Sequence, residues 1–236
     1  MRLMTVLLLC LCSACVNQTV KTTSVPQVNT PTEAQPEAQL LDVGVAIFDP
    51  GLDEEDDDAF LYPEVRQAEA RYMPYLLTEA IQSSGAWGAV RVVPSETQAM
   101  DLVVAGTILE SHGEELKLHV VARDATGAVW LDKKYDNRAS RYSYETNRAR
   151  FDPFQAVYNE IANDLLKIQQ SKSAEDLMTI RLVNELLFAR HFSPDAFAGY
   201  LEQDSRGIYR VARLPAANDP MLLRVRKIRE RDYLFI

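Results

Sequence analysis

Asp101-Leu-Val-Val-Ala-Gly-Thr-Ile-Leu-Glu110, Leu116-Lys-Leu-His-Val-Val-Ala-Arg123 and Ala128-Val-Trp-Leu-Asp-Lys-Lys-Tyr135 decide the fold. Each is a short run rich in β-branched and aliphatic residues, bounded by turn formers, which is how a strand reads. A turn around His112-Gly113 joins the first two, and Ala125-Thr126-Gly127 makes a hairpin turn into the third. Upstream, Leu41–Phe48 (LDVGVAIF) alternates as a strand, and Ala89–Val93 (AVRVV) forms another that Pro94 ends. Between them Val65, Ala68, Tyr72, Met73, Leu76, Leu77, Ala80 and Ile81 recur at helical spacing. Pro74 either opens the helix proper near Met73 or kinks it, and Gly85 supplies a C-cap.

Downstream the period is helical. Asp152-Pro153 pairs an N-cap with a first-turn proline ahead of the stripe Phe154, Val157, Tyr158, Ile161, Leu165 and Ile168. Ser173-Ala-Glu-Asp176 has the form of a capping box and opens a second helix through about His191. Ser193-Pro194 and Asn218-Asp219-Pro220 open two more. The expectation is an α/β domain over residues 40–150, with a small mostly antiparallel sheet and packed helices, followed by an all-helical extension over 151–236. The chain stops on the apolar run Tyr233-Leu-Phe-Ile236, which either closes the core or continues into further sequence; the second is the expectation.

The 236 residues carry 25 Lys+Arg against 34 Asp+Glu, a net charge of −9, with 47% apolar and 8% aromatic residues. These are globular proportions. The acidic balance argues against nucleic acid, whose phosphates are held by clustered Lys and Arg.

All three cysteines lie in the first stretch, Met1–Cys15, MRLMTVLLLCLCSAC. Arg2 and the apolar run Leu3–Cys12 have the length of a signal-peptide core, and the run is too short for a bilayer core of about 30 Å. Ser13-Ala14 before Cys15 is similar to a lipobox, the point at which bacterial lipoprotein signal peptides are cut and the cysteine acylated. Cys10 and Cys12 follow the bulky Leu9 and Leu11, so the lipidated residue is Cys15; an ordinary secretory cleavage after Ala14 is the competing reading. With Cys15 acylated no thiol remains for a disulfide, a nucleophile or a zinc site. Val16 stands where, in that class, an Asp retains lipoproteins in the inner membrane, so the outer membrane is expected, with the body in the periplasm. Residues 15–39 then form a lipidated, disordered tether: Pro26, Pro31 and Pro36 sit among Thr and Gln with no aromatic and no apolar period. Its full reach is about 80 Å.

No nucleophile elbow, H-E-x-x-H pair, phosphate loop or paired Cys motif occurs. The acidic run Asp53–Asp58 (DEEDDD) lacks the alternate spacing and central Gly of a calcium loop and reads as a solvated loop. His112 and His119 fall on different parts of a hairpin and His191 at a helix end, so no catalytic, cofactor or metal residue is assigned. The basic stretch Arg224–Arg231 is interrupted by Glu230 and reads as a solvated face. Trp87, in the turn Gly85-Ala86-Trp87-Gly88, reads as exposed and as a candidate partner contact; Trp130, flanked by Val129 and Leu131, reads as core.

Met73-Pro-Tyr-Leu-Leu-Thr-Glu-Ala-Ile-Gln-Ser-Ser-Gly85, Trp87, Val90-Arg-Val-Val-Pro94 and Asp101-Leu-Val-Val-Ala-Gly106 follow one another in a pattern. That pattern, over residues 41–135, resembles an envelope group. Its members are the outer-membrane lipoprotein activators of penicillin-binding proteins, the curli-secretion lipoproteins and the N-terminal domain of the Tol-system propeller protein. In them a helix ends in Ser-Gly, a strand follows, and an Asp opens a strand that ends near Gly. The resemblance implies a non-enzymatic binding or assembly domain, and no catalytic residue belongs to the pattern. The functional expectation is a lipid-anchored envelope lipoprotein that binds or positions a partner protein. A periplasmic hydrolase or carbohydrate-active enzyme without a recognisable motif is the alternative, and a lipid or glycan carrier a third.

Overall fold

The computed structural model describes residues 25–52, 62–94, 100–139, 152–216 and 218–232. Cys15, the acidic run Asp53–Asp58 and the terminal Tyr233–Ile236 lie outside them. Five strands form one sheet: β1 (Val43–Ala46), β2 (Val90–Val93), β3 (Leu102–His112), β4 (Glu115–Asp124) and β5 (Val129–Arg138), in the order β2-β1-β3-β4-β5. The long ladders β3–β4 and β4–β5 are antiparallel, as hairpin-joined strands must be. The short β1 strand pairs parallel with both β2 and β3. Parallel neighbours need a crossover, and the 21-residue helix α1 (Pro63–Ser83) supplies it between β1 and β2.

Alternation along β3 and β4 sends Leu102, Val104, Ile108, Leu116, Leu118, Val120 and Ala122 to one face, where all are fully buried. That face is covered by α1 and by α2 (Gln155–Ser171), which pack against each other as well as on the strands. Gly106 permits the approach of Phe48 from this side, since a Cβ there would sit 2.8 Å from the Phe48 ring. The other face carries Val103, Ala105, Thr107, His119, Val121 and Arg123 around a shallow concavity of about 250 Å³.

Helix α1 runs unbroken through Pro74, with proline also in its first turn at Pro63; Thr78 Oγ1 donates to the Pro74 carbonyl at 2.8 Å. The expected apolar stripe divides in two. Met73, Leu76, Leu77, Ala80 and Ile81 are buried, whereas Val65, Ala68 and Tyr72 face outward. Gly85 ends the helix with φ +67°, as a C-cap glycine should.

Helix α3 (Ala174–Phe192) opens on the expected capping box: Ser173 Oγ accepts from the Asp176 N–H at 3.1 Å and the Asp176 carboxylate accepts from the Ser173 N–H at 3.1 Å. It joins two apolar clusters. Leu177 and Ile180 enter the core under the sheet, and Val183, Leu186, Leu187 and Ala189 enter a second cluster. That second cluster is closed by α4 (Pro194–Phe197) and α5 (Pro220–Asp232) through Phe197, Leu222 and Val225. The extension is not helical throughout: β6 (Leu201–Gln203) and β7 (Tyr209–Val211) form a small antiparallel hairpin between α4 and α5. Three-residue strands leave too little alternation to read; they are ordered by tertiary contacts, Leu201, Tyr209 and Val211 packing on the second cluster and the Tyr209 N–H donating to the Thr126 carbonyl.

Two buried polar links tie the extension to the sheet. Asp101, 2% exposed, accepts from the Asp42 N–H at 2.9 Å and from Asn184 Nδ2 of α3 at 2.6 Å. Burial pushes its carboxyl above the usual carboxylate range, and those two hydrogen bonds pull against the shift. Gln169, wholly buried on α2, donates to the Ala86 carbonyl at 2.8 Å. No described helix is long and apolar enough to cross a membrane.

Candidate functional site

The site is built where α1 and α2 diverge. Gln155, Asn159 and Asn163 follow one another at intervals of four residues, so a single helical face of α2 presents three side-chain amides in a row. Gln155 Nε2 donates to Asn159 Oδ1 at 2.9 Å. Asn159 Nδ2 donates to the Pro26 carbonyl at 2.8 Å, Asn163 Nδ2 to the Gln27 carbonyl at 2.9 Å, and the Asn29 N–H donates to Asn163 Oδ1 at 2.7 Å. The row therefore binds the main chain of residues 26–29, and Val28 seats against the principal core.

Over residues 25–39 this corrects the expected disordered tether, whose first part, 15–24, lies outside the described residues. Residues 25–39 lie along the body, with a 3-10 turn at Glu37–Gln39 whose Glu37 carbonyl accepts from Arg181 Nη1 at 2.7 Å. A polar, proline-rich segment has little apolar surface to bury, so beside the seat of Val28 its order comes from amides supplied over 130 residues further along the chain.

The strap itself, through Val25–Val28, walls one side of a cavity of about 720 Å³ whose other sides are Tyr72, Tyr75, Glu79 and Ser83 of α1 and Asp152, Gln155 and Asn159. Tyr72 and Tyr75 are 54% and 51% exposed, with rings stacked at 6.4 Å and 25°. The Tyr75 hydroxyl donates to Glu79 Oε1 at 2.7 Å, and that bond raises the phenol above its ordinary range. Asp152 accepts from the Phe154 N–H at 2.8 Å; burial raises its carboxyl.

Two further polar clusters lie elsewhere on the body. At the β3–β4 tip, Glu110, His112 and Glu115 bring ligand atoms within 4.8 Å of one another. Lys117 Nζ already lies 2.6 Å from Glu110 and 3.3 Å from Glu115, and Arg138 lies 3.2 Å from Glu115. Lys117 holds the Glu110 carboxyl below its usual range, so the cations that balance this cluster are its own side chains. Between α3 and α5, Asp42, Arg181, Glu185, Arg226, Arg229 and Glu230 surround about 410 Å³. There Arg226 makes a two-pronged contact with Glu185, and the Arg229 guanidinium sits 6.0 Å from the Phe188 ring. The basic stretch of α5 is thus partly engaged by α3 instead of wholly solvated.

Trp87 is not the exposed contact that its turn suggested. It is 6% exposed and its ring lies 6.4 Å from that of Trp130. Trp130 is core, with Nε1 donating to Asp124 Oδ2 at 2.7 Å. His119 pairs with Asp132 at 2.7 Å on the open face of the sheet and His112 with Glu110 at the hairpin tip, on separate parts of the hairpin. The groove residues Tyr72, Tyr75, Asn159 and Asn163 were missed by motif reasoning. The sequence signal for Asn159 and Asn163 is the polar i, i+4, i+8 row facing away from the apolar stripe of α2, and Tyr72 and Tyr75 of α1 carry none.

No family model matches the chain. No curated protein matches it either. Among solved structures, the PelC dodecamer from Paraburkholderia phytofirmans aligns at 16% identity over 59% of this chain and 94% of that one, with a TM-score of 0.35. The DUF330 protein XCC0632 from Xanthomonas campestris aligns at 12% identity over 68% of this chain and 93% of that one, with a TM-score of 0.32. Both are distant matches.

Proposed function

We propose that the chain is an outer-membrane lipoprotein, acylated at Cys15, whose periplasmic body binds or positions a partner protein without chemistry of its own. The observation that carries this reading is the groove between α1 and α2, where an amide row already grips polypeptide main chain beside two half-exposed tyrosines. Large exposed aromatics clustered in a concavity are what binding surfaces use. The two groove carboxylates are engaged structurally, Glu79 by the Tyr75 hydroxyl and Asp152 by the Phe154 N–H, which suits recognition better than hydrolysis. The lipobox-like flank of Cys15 and the likeness of residues 41–135 to envelope assembly lipoproteins support the same reading.

The strap alters the geometry of such an anchor. From Cys15 to Val25, where the body begins, the extended chain spans about 35 Å, against about 80 Å for a tether running to Gln39. A strapped body works close to its own membrane. The test is intact mass and membrane fractionation of the chain beside Cys15→Ala, followed by site-specific photocrosslinking from position 75 in envelopes. Acyl mass, sedimentation with the outer membrane and one reproducible crosslinked protein are expected. A soluble chain merely cleaved after Ala14, or the absence of any reproducible crosslink, overturns the reading.

A further inference from the structure

We propose that the α1–α2 groove takes an extended polypeptide segment bearing cationic side chains, an assignment that rests on the partner-binding reading and names the partner's chemistry. The main-chain half of the recognition is visible. Asn163 and Asn159 hold the strap at Asn29, Gln27 and Pro26, and each amide bonds backbone groups that any sequence offers. The strap is paired at these two positions of α2, while the cavity continues to Gln155 and Asp152, toward the N-terminus of the same helix. A second extended segment entering there meets the same kind of surface, continuous with one already shown to grip polypeptide.

The side-chain half follows from charge. Among the described residues lining the cavity are two carboxylates, Glu79 and Asp152, and neither Lys nor Arg. The Tyr72 and Tyr75 rings, 6.4 Å apart, offer π faces beside Glu79. A ring face and a carboxylate together favour an ammonium or guanidinium over a neutral or anionic group. The net charge of −9 draws a basic segment in the same direction at long range. An acidic lipid surface is disfavoured by the same charges.

The probes are three fluorescein-labelled octapeptides of one Val-Pro-rich frame, in which two positions are Lys, Gln or Glu, titrated against the full chain by anisotropy. The Lys peptide is expected to bind about 10-fold more tightly than the Gln peptide, the Glu peptide more weakly still, with affinity falling as salt rises. Glu79→Gln is expected to cost about 3-fold and Tyr72→Ala with Tyr75→Ala about 10-fold, at unchanged circular dichroism and melting. Asp132→Asn, on the opposite face of the sheet, leaves binding unchanged. Equal binding of all three peptides, binding of none, or wild-type affinity in the tyrosine variant overturns the assignment. If no peptide binds while position 75 still crosslinks one reproducible envelope protein, the cationic assignment falls and the adaptor reading stands. If the peptides bind as expected and nothing crosslinks, the assignment stands and the adaptor reading falls.

Discussion

Replacing Asn163 by Ala removes both arms of the clamp that Asn163 places on the strap, the Nδ2 bond to the Gln27 carbonyl at 2.9 Å and the Oδ1 bond from the Asn29 N–H at 2.7 Å. Each hydrogen bond contributes about 0.5–1.5 kcal/mol net, and these are exposed, so the pair amounts to about 1–3 kcal/mol. Fixing each strap residue costs about 1–2 kcal/mol of backbone entropy, so the docked strap is stable by little. The bond from Asn159 to Pro26 and the seat of Val28 remain in the variant. Strap opening is therefore expected to rise about 5- to 150-fold with no change in global stability, because no residue of the principal core is touched. Hydrogen exchange followed by mass spectrometry reads this directly: the Asn29 amide, which donates to Asn163 Oδ1, loses protection by that factor, and those of β3 and β4 keep theirs. In the anchored protein, a distance label on the body should also move away from the membrane, toward the full tether reach. Unchanged protection of the strap in Asn163→Ala would refute the amide row as its clamp. Loss of protection across the sheet would refute the claim that the strap is only docked.

Three other substitutions probe two buried positions and one helix start. The folded Asp101 carboxyl is raised by burial, so its contribution to stability is fully present below the ordinary carboxyl range and is lost as pH rises through the raised value. Asp101→Asn is thus expected to flatten the fall of the urea midpoint as pH rises above the ordinary carboxyl range, and an unaltered slope would remove Asp101 as its source. Gly106→Ala places a methyl 2.8 Å from the Phe48 ring and is expected to cost about 1–3 kcal/mol, seen as a drop in melting temperature; a neutral result would mean that the ring is free to shift. Ser173→Ala removes the side-chain half of the capping box on α3 and is expected to cost about 1 kcal/mol by denaturant titration, and Ser173→Asp to restore most of it.

The strands β3 to β5, the Ser173–Asp176 box and the Gly85 cap were legible because each is determined by residues within a few positions of one another. Alternation survives in β3 and β4 since one face is buried, and a capping box closes within one helical turn. The division of the α1 stripe was not legible. Tyr72 sits at the spacing of Met73 and Leu76, and only the position of α2 decides that Met73 is 4% exposed and Tyr72 54%. For the same reason Trp87 looked like a turn residue on the surface, and the ring of Trp130, brought up by β5, buries it.

From sequence alone came the α/β pattern, the acidic balance, the apolar run ahead of Cys15 and the lack of any catalytic motif. Tertiary structure decided the parallel pairing of β1, the shared core between sheet and extension, and the binding of residues 25–39 onto the body. A proline- and threonine-rich segment has no apolar face from which its own order can be read. Its partners, Asn159 and Asn163, lie more than 130 residues away, and only packing α2 against α1 brings their amides to its carbonyls.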